Sequence, residues 1–429
     1  MRILLINPWI YDFKAYDLWL KPLGLLYLAD FLFKSGHKID FIDCLVPGTA
    51  ILRKTDKFGT GKYYYEEIEK PEIYKDVPRK YKRYGMPIEA FKEKLRTISK
   101  PDVILITCTM TYWYKGAFEA IKIVKEFFPD TLVVLGGIYA NLCREHAKKY
   151  SGADYVISKN NFEEFAKFVG ASGRSPLRIQ NLLNQYRPAY YLYLHLEYAC
   201  VITSAGCPYS CAYCAAKYLC DEFYQRDQDD VVDEICGYAE SGIKNIAFYD
   251  DALFFNKENH INKILDKIIE KKLDLNFHTP NGVHARFIDK KLARKLKEAG
   301  FKTIRLGFET EDTVLQNKIG NKVSNEEIKT AVKNLFEVGF KKDEIGAYIM
   351  TGMPGQSYDD ILETVKFAKD LDVKVKFTQF SPIPHTKLGN EMLSKYDNAD
   401  PLLHNNTYWL YKSPYISFEK IQKITKLSK

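Results

Sequence analysis

At 429 residues the chain exceeds the length over which one hydrophobic core keeps growing, and its formal charge of +8 comes from lysines spread along it. Hydrophobic residues at 46% and charged residues at 28% describe a globular protein, and no apolar run of about 18 residues could serve as a membrane span. Met1-Arg2-Ile3-Leu4-Leu5 runs straight into an apolar strand without a leader's longer apolar stretch, so the expected compartment is the cytoplasm. The densest basic run, Arg79-Lys80-Tyr81-Lys82-Arg83, has the interleaving that touches nucleic acid, but a solvated lysine-rich surface is the plainer reading and no nucleic-acid partner is expected.

In chain order, residues 2–7 read as a buried strand, 23–34 as a helix that Gly36 can close, and 38–44 as a second strand. Residues 47–97 break the rhythm, being rich in Tyr, Lys and Pro without a sustained period, and read as an insertion that contacts substrate or a partner. Alternation resumes with strand 102–107, helix 116–128, strand 131–135 and a short strand 153–157. The expectation for 1–170 is therefore a doubly wound, parallel, Rossmann-like sheet. Residues 171–196, polar and then aromatic, read as a linker.

A second series places strands at 198–203, 245–249, 276–279, 303–308, 344–351 and 374–380 with helical patterns between them. Six such units predict a partial (β/α)6 TIM-type barrel over 197–390, with reactive groups at the carboxyl ends of its strands. The remainder, 391–429, reads as a helical tail.

Five of the nine cysteines crowd between Cys200 and Cys220, with Cys236 just beyond. That distribution suits a metal better than a disulfide framework. Cys207-Pro-Tyr-Ser-Cys211-Ala-Tyr-Cys214 offers three thiolates right after a strand, in C-x3-C-x2-C spacing. Structural zinc closes four positions with paired ligands, and no second pair lies at a suitable distance. A 4Fe–4S cluster with one thiolate per iron would instead keep one iron open to a small molecule. Cys220 and Cys236 stay open as further ligands, whereas Cys200, on the apolar strand, reads as a small hydrophobe.

Gly206-Cys207-Pro208-Tyr209-Ser210-Cys211-Ala212-Tyr213-Cys214 resembles the cluster loop of radical S-adenosylmethionine (SAM) enzymes. The resemblance implies that Cys207, Cys211 and Cys214 hold a 4Fe–4S cluster and that SAM chelates the open iron. One electron from a donor such as flavodoxin or ferredoxin then yields a 5'-deoxyadenosyl radical. It also implies that Tyr213 packs beside SAM, that Asp250 and Asp251 meet the methionine ammonium, and that Glu309 binds the ribose. Gly352 and Pro354, in Ile349-Met-Thr-Gly352-Met-Pro354-Gly355, would line the adenine site. Ser381-Pro-Ile-Pro384-His385 resembles the loop after the sixth strand. Read without the family, Asp250-Asp251 could equally cap a helix, and Glu309 could stand in solvent.

The first half resembles the cobalamin-binding domain fused to many of these enzymes, through Ile3 to Pro8, Pro22-Leu-Gly-Leu-Leu-Tyr-Leu-Ala29 and Leu135-Gly136-Gly137-Ile138-Tyr139-Ala140. An open parallel sheet binds ligands beyond its carboxyl edge, so Asn7, Pro8, Trp9, Thr107, Thr109, Met110, Tyr112, Gly136, Gly137, Ile138 and Tyr139 would surround a corrin. No Asp-x-His-x-x-Gly run offers a histidine to cobalt, and Ser158-Lys-Asn-Asn161 stands where an acidic Gly-Glu run often does. The reaction expected is methylation or rearrangement of an unactivated carbon. The alternatives are a degenerate, cofactor-free first domain, a tRNA methylthiotransferase-like enzyme using Cys44, Cys108 and Cys143, and a non-enzymatic iron–sulfur redox or sensing protein.

Overall fold

The computed structural model describes residues 1–46, 55–159, 165, 179–396 and 399–427. Parts of the insertion (47–54), of the connection (171–178) and of the Ser158 to Asn161 run (160–161) lie outside the described residues. Two compact units emerge, Met1–His195 with Tyr396–Asn405, and Leu196–Lys395 with Asn406–Lys429.

In the first unit Arg2–Asn7, Lys38–Asp43, Val103–Thr107, Leu132–Gly136 and Tyr155–Val156 form a parallel sheet. Ile3 to Ile6 and Val103 to Ile106 are almost wholly buried, as strands covered by helices on both faces must be. Counted along the chain, the spatial order is second, first, third, fourth, fifth. The order therefore reverses between the first and third strands, which is where open α/β sheets take their ligands. The helix Leu23–Lys34 begins and ends where its apolar spacing does, closing at Ser35 and Gly36.

The insertion is more ordered than its composition suggests. Tyr65–Ile68 and Tyr81–Tyr84 pair antiparallel, Ile10–Asp12 adds to Tyr81–Tyr84, and Ile88–Thr97 is helical. Buried tyrosines, not a sustained apolar period, hold it: Phe13, Tyr74 and Tyr81 pack ring on ring at 5.0–5.5 Å. Its basic run is neutralised locally, with Arg83 on Glu66, Lys80 on Glu67 at 2.7 Å, Lys82 over the Tyr65 ring at 3.9 Å, and Tyr81 buried.

The stretch Tyr396–Asn405 belongs to the first unit although it follows the barrel in sequence. Tyr114 donates to Asp400 at 2.9 Å, Tyr74 to the Leu402 carbonyl at 2.7 Å, and Asn405 to Asp12 at 2.9 Å, while His404 meets Thr111 at 2.9 Å.

The second unit holds six parallel strands in chain order: Ala199–Val201, Asn245–Phe248, Asn276–His278, Phe301–Glu309, Ile345–Thr351 and Lys374–Gln379. Helices return between them, and the sheet stays open, as in a partial barrel. Ser324 and Ser357 start two of those helices with reciprocal capping boxes. Register slips between Gly307 and Glu309 on the fourth strand, a bulge that re-aims the end of that strand. Cys200 is wholly buried on the first strand, in keeping with its reading as a small hydrophobe. No helix among the described residues is long and apolar enough to cross a membrane.

Candidate active site

The cysteine loop leaves the first barrel strand through Thr203-Ser204, and a carboxylate fixes that exit. Asp250, 4% exposed at the end of the second strand, accepts from the Thr203 N–H at 3.0 Å, the Thr203 hydroxyl at 2.8 Å and the Ser204 hydroxyl at 2.6 Å. His260 meets the same Thr203 hydroxyl at 3.0 Å, and burial pushes its pKa down to about 4, keeping the ring neutral. Below the exit, Arg226 donates to the Ile202 carbonyl at 2.7 Å and forms a fully buried pair with Glu234 at 2.7 Å. Asp250 was expected to meet the methionine ammonium. Its Oδ1 takes the Thr203-Ser204 exit, and its Oδ2 also lies 3.2 Å from the Thr203 N–H.

Asp251 is the member of the pair that reaches solvent. Burial by the surrounding protein, and then the Asp250 charge, raise its pKa to about 6, with Lys322 acting the other way. The neighbours that shift its titration include Asp250 and Lys322, and its own charge is felt at Cys207 and Cys214.

The three thiols influence one another electrostatically, and their surroundings hold all of them above the ordinary value, Cys214 at about 11. Backbone N–H groups point at the sulfurs, Tyr209 at Cys207 and Ala216 at Cys214 (3.5 Å). Amides aimed at sulfur suit thiolates held on iron. No group of three or more His, Cys, Asp or Glu side chains among the described residues closes on a single ion. Three thiols in C-x3-C-x2-C spacing, with backbone N–H groups aimed at them, fit a 4Fe–4S cluster that takes one thiolate per iron.

The loops that sequence marked as companions are tied to this one. Ala212 donates its N–H to the Ile319 carbonyl at 3.0 Å and accepts from Leu388 at 2.9 Å. A Cβ on Gly320, whose φ is +115°, would stand 3.1 Å from the Cys211 Cα, so only glycine lets these backbones approach. Ala212, Met350, Met353, Phe380 and Leu388 share one apolar cluster with Tyr213 against it. The Gly352 to Pro354 turn therefore packs under the cysteine loop, with Gly352 at φ +83°.

Glu309 is 5% exposed and holds φ +70°, a strained conformation for a residue with a side chain. It accepts from the Tyr213 hydroxyl at 3.3 Å and lies 3.7 Å from Lys322 Nζ. Lys322 escaped the sequence reading because nothing local marks it. It crosses over Gly307, where a Cβ would meet Nζ at 2.3 Å, and donates to the Gly282 carbonyl at 3.2 Å. Tyr209 was likewise quoted only as loop; its ring stacks on His284 at 4.5 Å.

In the first unit the structure divides the expected corrin contacts. Thr109, Met110, Gly136, Gly137 and Ile138 reach the surface at the carboxyl edge of the sheet. Asn7, Pro8, Trp9, Thr107, Tyr112 and Tyr139 do not: Asn7 is bonded to Asp43 at 2.8 Å, and Trp9 to the Met86 carbonyl at 2.6 Å. Tyr139 is bonded to His146 at 2.6 Å, while Tyr112 is 3% exposed beside Trp113. These six are buried. Trp113 and Tyr114, from the same aromatic run, are bonded to Asp12 and Asp400. Cys44 and Cys108 are buried, Cys143 is half-buried, and Cys108 donates to the Met110 carbonyl at 3.2 Å.

Residues 201–368 match the model of the Radical SAM superfamily. The second unit is a radical SAM domain. The chain is thus an enzyme whose cofactors are a 4Fe–4S cluster and SAM, and radical SAM enzymes draw on an electron donor. Over 92% of its length the chain is 27% identical to an uncharacterised methyltransferase of Pyrococcus horikoshii, covering 87% of that protein. Its fold follows the radical SAM methyltransferase TsrM of Kitasatospora setae at TM-score 0.70 and 16% identity, covering 100% of this chain and 89% of that one. It also follows the cobalamin-dependent SAM radical enzyme OxsB at TM-score 0.58 and 12% identity, covering 99% of this chain and 60% of that one. Both likenesses extend across the first unit as well as the radical SAM domain, so the Rossmann-like sheet followed by a partial barrel is a shared architecture.

Proposed function

We propose that this protein is a cobalamin-dependent radical SAM methyltransferase that acts on an unactivated carbon. The observation that carries the reading is the sheet order of the first unit, whose reversal point opens between the Arg2–Asn7 and Val103–Thr107 strands and is edged by small and backbone groups. Gly137, at φ +91°, turns its backbone tightly against Cys108, while Gly136 has nothing within 4 Å of a Cβ position, and Met110 and Ile138 beside it reach the surface. Such a surface fits one face of a macrocycle. The P. horikoshii methyltransferase and the printed functions of TsrM and OxsB support the same reading.

No histidine stands ready to ligate cobalt from this edge: His37 meets the N-terminal ammonium at 3.3 Å at the opposite end of the sheet, and His146 and His404 face Tyr139 and Thr111. When bound, the cluster supplies an electron and an open iron for cleaving SAM, and cobalamin supplies a transferable methyl group. Cys207, Cys211 and Cys214 hold the cluster. Asp251 faces the methionine ammonium, Glu309 the ribose hydroxyls, and Gly352 to Pro354 the adenine. Asp250, His260 and Thr203 keep the cysteine loop in place. The electron comes from a small carrier such as flavodoxin or ferredoxin in the cytoplasm.

The test is anaerobic purification and reconstitution with iron, sulfide and hydroxocobalamin. Co-purifying corrinoid, and S-adenosylhomocysteine formed alongside deoxyadenosine, are the expected results. Deoxyadenosine without any corrinoid binding would replace this reading with a cobalamin-free radical enzyme.

A further inference from the structure

On the fourth barrel strand Ile304, Leu306 and Phe308 are buried outward, Phe308 stacking on Phe367 at 5.2 Å. The alternate positions Thr303, Arg305 and Gly307, before the bulge, therefore face the lumen. Register sets Arg305 beside Gly346 on the fifth strand, and Tyr348 beside Lys376 on the sixth. Two cations share the space that Gly346 leaves: a Cβ there would stand 3.1 Å from Arg305 Cδ and 3.3 Å from Lys376 Cγ.

Nothing nearby balances them. Arg305 Nη1 reaches only the Ile304 and Glu344 carbonyls, each at 3.3 Å, and among the described residues neither Arg305 nor Lys376 pairs with a carboxylate. On the outer helices of this domain, Lys295 pairs with Asp266 at 2.6 Å and Lys297 with Glu344 at 3.1 Å. Burial lowers the pKa of both lumen cations, and Arg305 then Lys374 lower Lys376 further. Like charges held side by side repel one another in the empty site, and an anion relieves that cost.

We propose that Arg305 and Lys376 form the substrate's anion subsite, so that the enzyme acts on a molecule bearing a carboxylate or phosphate. This rests on the radical SAM reading, which makes the lumen the substrate's place. A guanidinium beside an ammonium suits either anion, the former bidentately. The bulge puts Glu309 level with Ile349, three positions beyond the level of Arg305 and one beyond that of Lys376, so the anionic group lies about 3–10 Å from the level of the ribose-binding carboxylate. The substrate is thus expected to carry its charge several bonds from the carbon that reacts.

The experiment is calorimetric titration of the cluster-loaded, full-length protein with inorganic phosphate and, separately, with succinate. One of the two should bind the wild type, the better one naming the anion. Arg305→Gln and Lys376→Gln should each weaken that binding about tenfold or more, whereas Lys369→Gln, on an outer helix, should not. Lys376 reaches water, so Lys376→Gln tests the site even where Arg305→Gln disturbs folding, which near-ultraviolet circular dichroism reports. No binding of either probe at about 10 mM, or equal binding by wild type and Lys376→Gln, would overturn the proposal. Deoxyadenosine formation by the wild type, measured separately, tests the radical reading on its own.

Discussion

Thr203 gives both its N–H, at 3.0 Å, and its hydroxyl, at 2.8 Å, to the same oxygen of Asp250, and this anchors the start of the cysteine loop. Asp250→Ala leaves those buried donors and the Ser204 hydroxyl without an acceptor, and is expected to destabilise the protein by about 3 kcal/mol or more. Iron retention after reconstitution should fall with it. Asp251→Asn, which removes a charge that its surroundings disfavour, should not destabilise the protein but should slow SAM cleavage. Equal effects of the two substitutions on stability, measured by urea unfolding, would remove the distinction drawn between them.

Glu309, in a strained left-handed conformation beside Tyr213 and Lys322, is assigned to the ribose. Hydrogen bonds to a charged partner are worth about 1.5–3 kcal/mol, so Glu309→Gln should raise the KM for SAM by about tenfold to a hundredfold. The cluster's visible absorbance should not change. Deoxyadenosine formation at graded SAM concentration checks this; an unchanged KM would remove Glu309 from the cofactor site.

Adjacent glycines make opposite predictions. Gly137→Ala puts a Cβ 2.6 Å from the Cys108 carbonyl at φ +91°, and should destabilise the first unit by about 2 kcal/mol. The Cβ of Gly136→Val meets no atom within 4 Å, and the substitution should leave thermal stability near wild type while displacing corrinoid from the purified protein. Corrinoid retained by Gly136→Val would move the cofactor elsewhere.

Asp12 is buried, and burial raises its pKa from 3.8 to about 6 although Trp113, Asn405 and Phe13 all donate to it. A raised carboxyl pKa means that the folded state binds more protons than the unfolded state between about pH 4 and 6. Stability from this group is then greatest below pH 4 and is lost as pH rises through 6, a difference of about 2–3 kcal/mol. Asp12→Asn, which keeps an acceptor for Trp113 and has no charge to lose, should flatten that part of the profile. Urea unfolding of both proteins from pH 4 to 7 gives the comparison, and an identical slope in both would rule Asp12 out as its source.

The strands and their order of appearance were legible because buried parallel strands are short apolar runs between turn signals, as at 2–7 and 103–107. The insertion was not, because tyrosines stacked across its strands leave no alternation to count. The cysteine loop was legible from spacing alone. Lys322 was not, since it reaches Gly282 and Glu309 only after three loops fold together. Asp250 and Asp251 looked equivalent in sequence; only the hydroxyls of Thr203 and Ser204, some 46–47 residues earlier, separate the brace from the exposed acid. Trp9, Tyr112 and Tyr139 sat where the topology puts a ligand, but nothing in their spacing tells a buried side chain from one that reaches the surface.

The central claim is that Cys207, Cys211 and Cys214 hold a cluster that cleaves SAM reductively. The most direct measurement is anaerobic reconstitution with iron and sulfide, chemical reduction in the presence of SAM, and chromatography of the products. Wild type should form 5'-deoxyadenosine, and Cys211→Ala should form none. An intact, reducible cluster in the wild type with no deoxyadenosine would contradict the account.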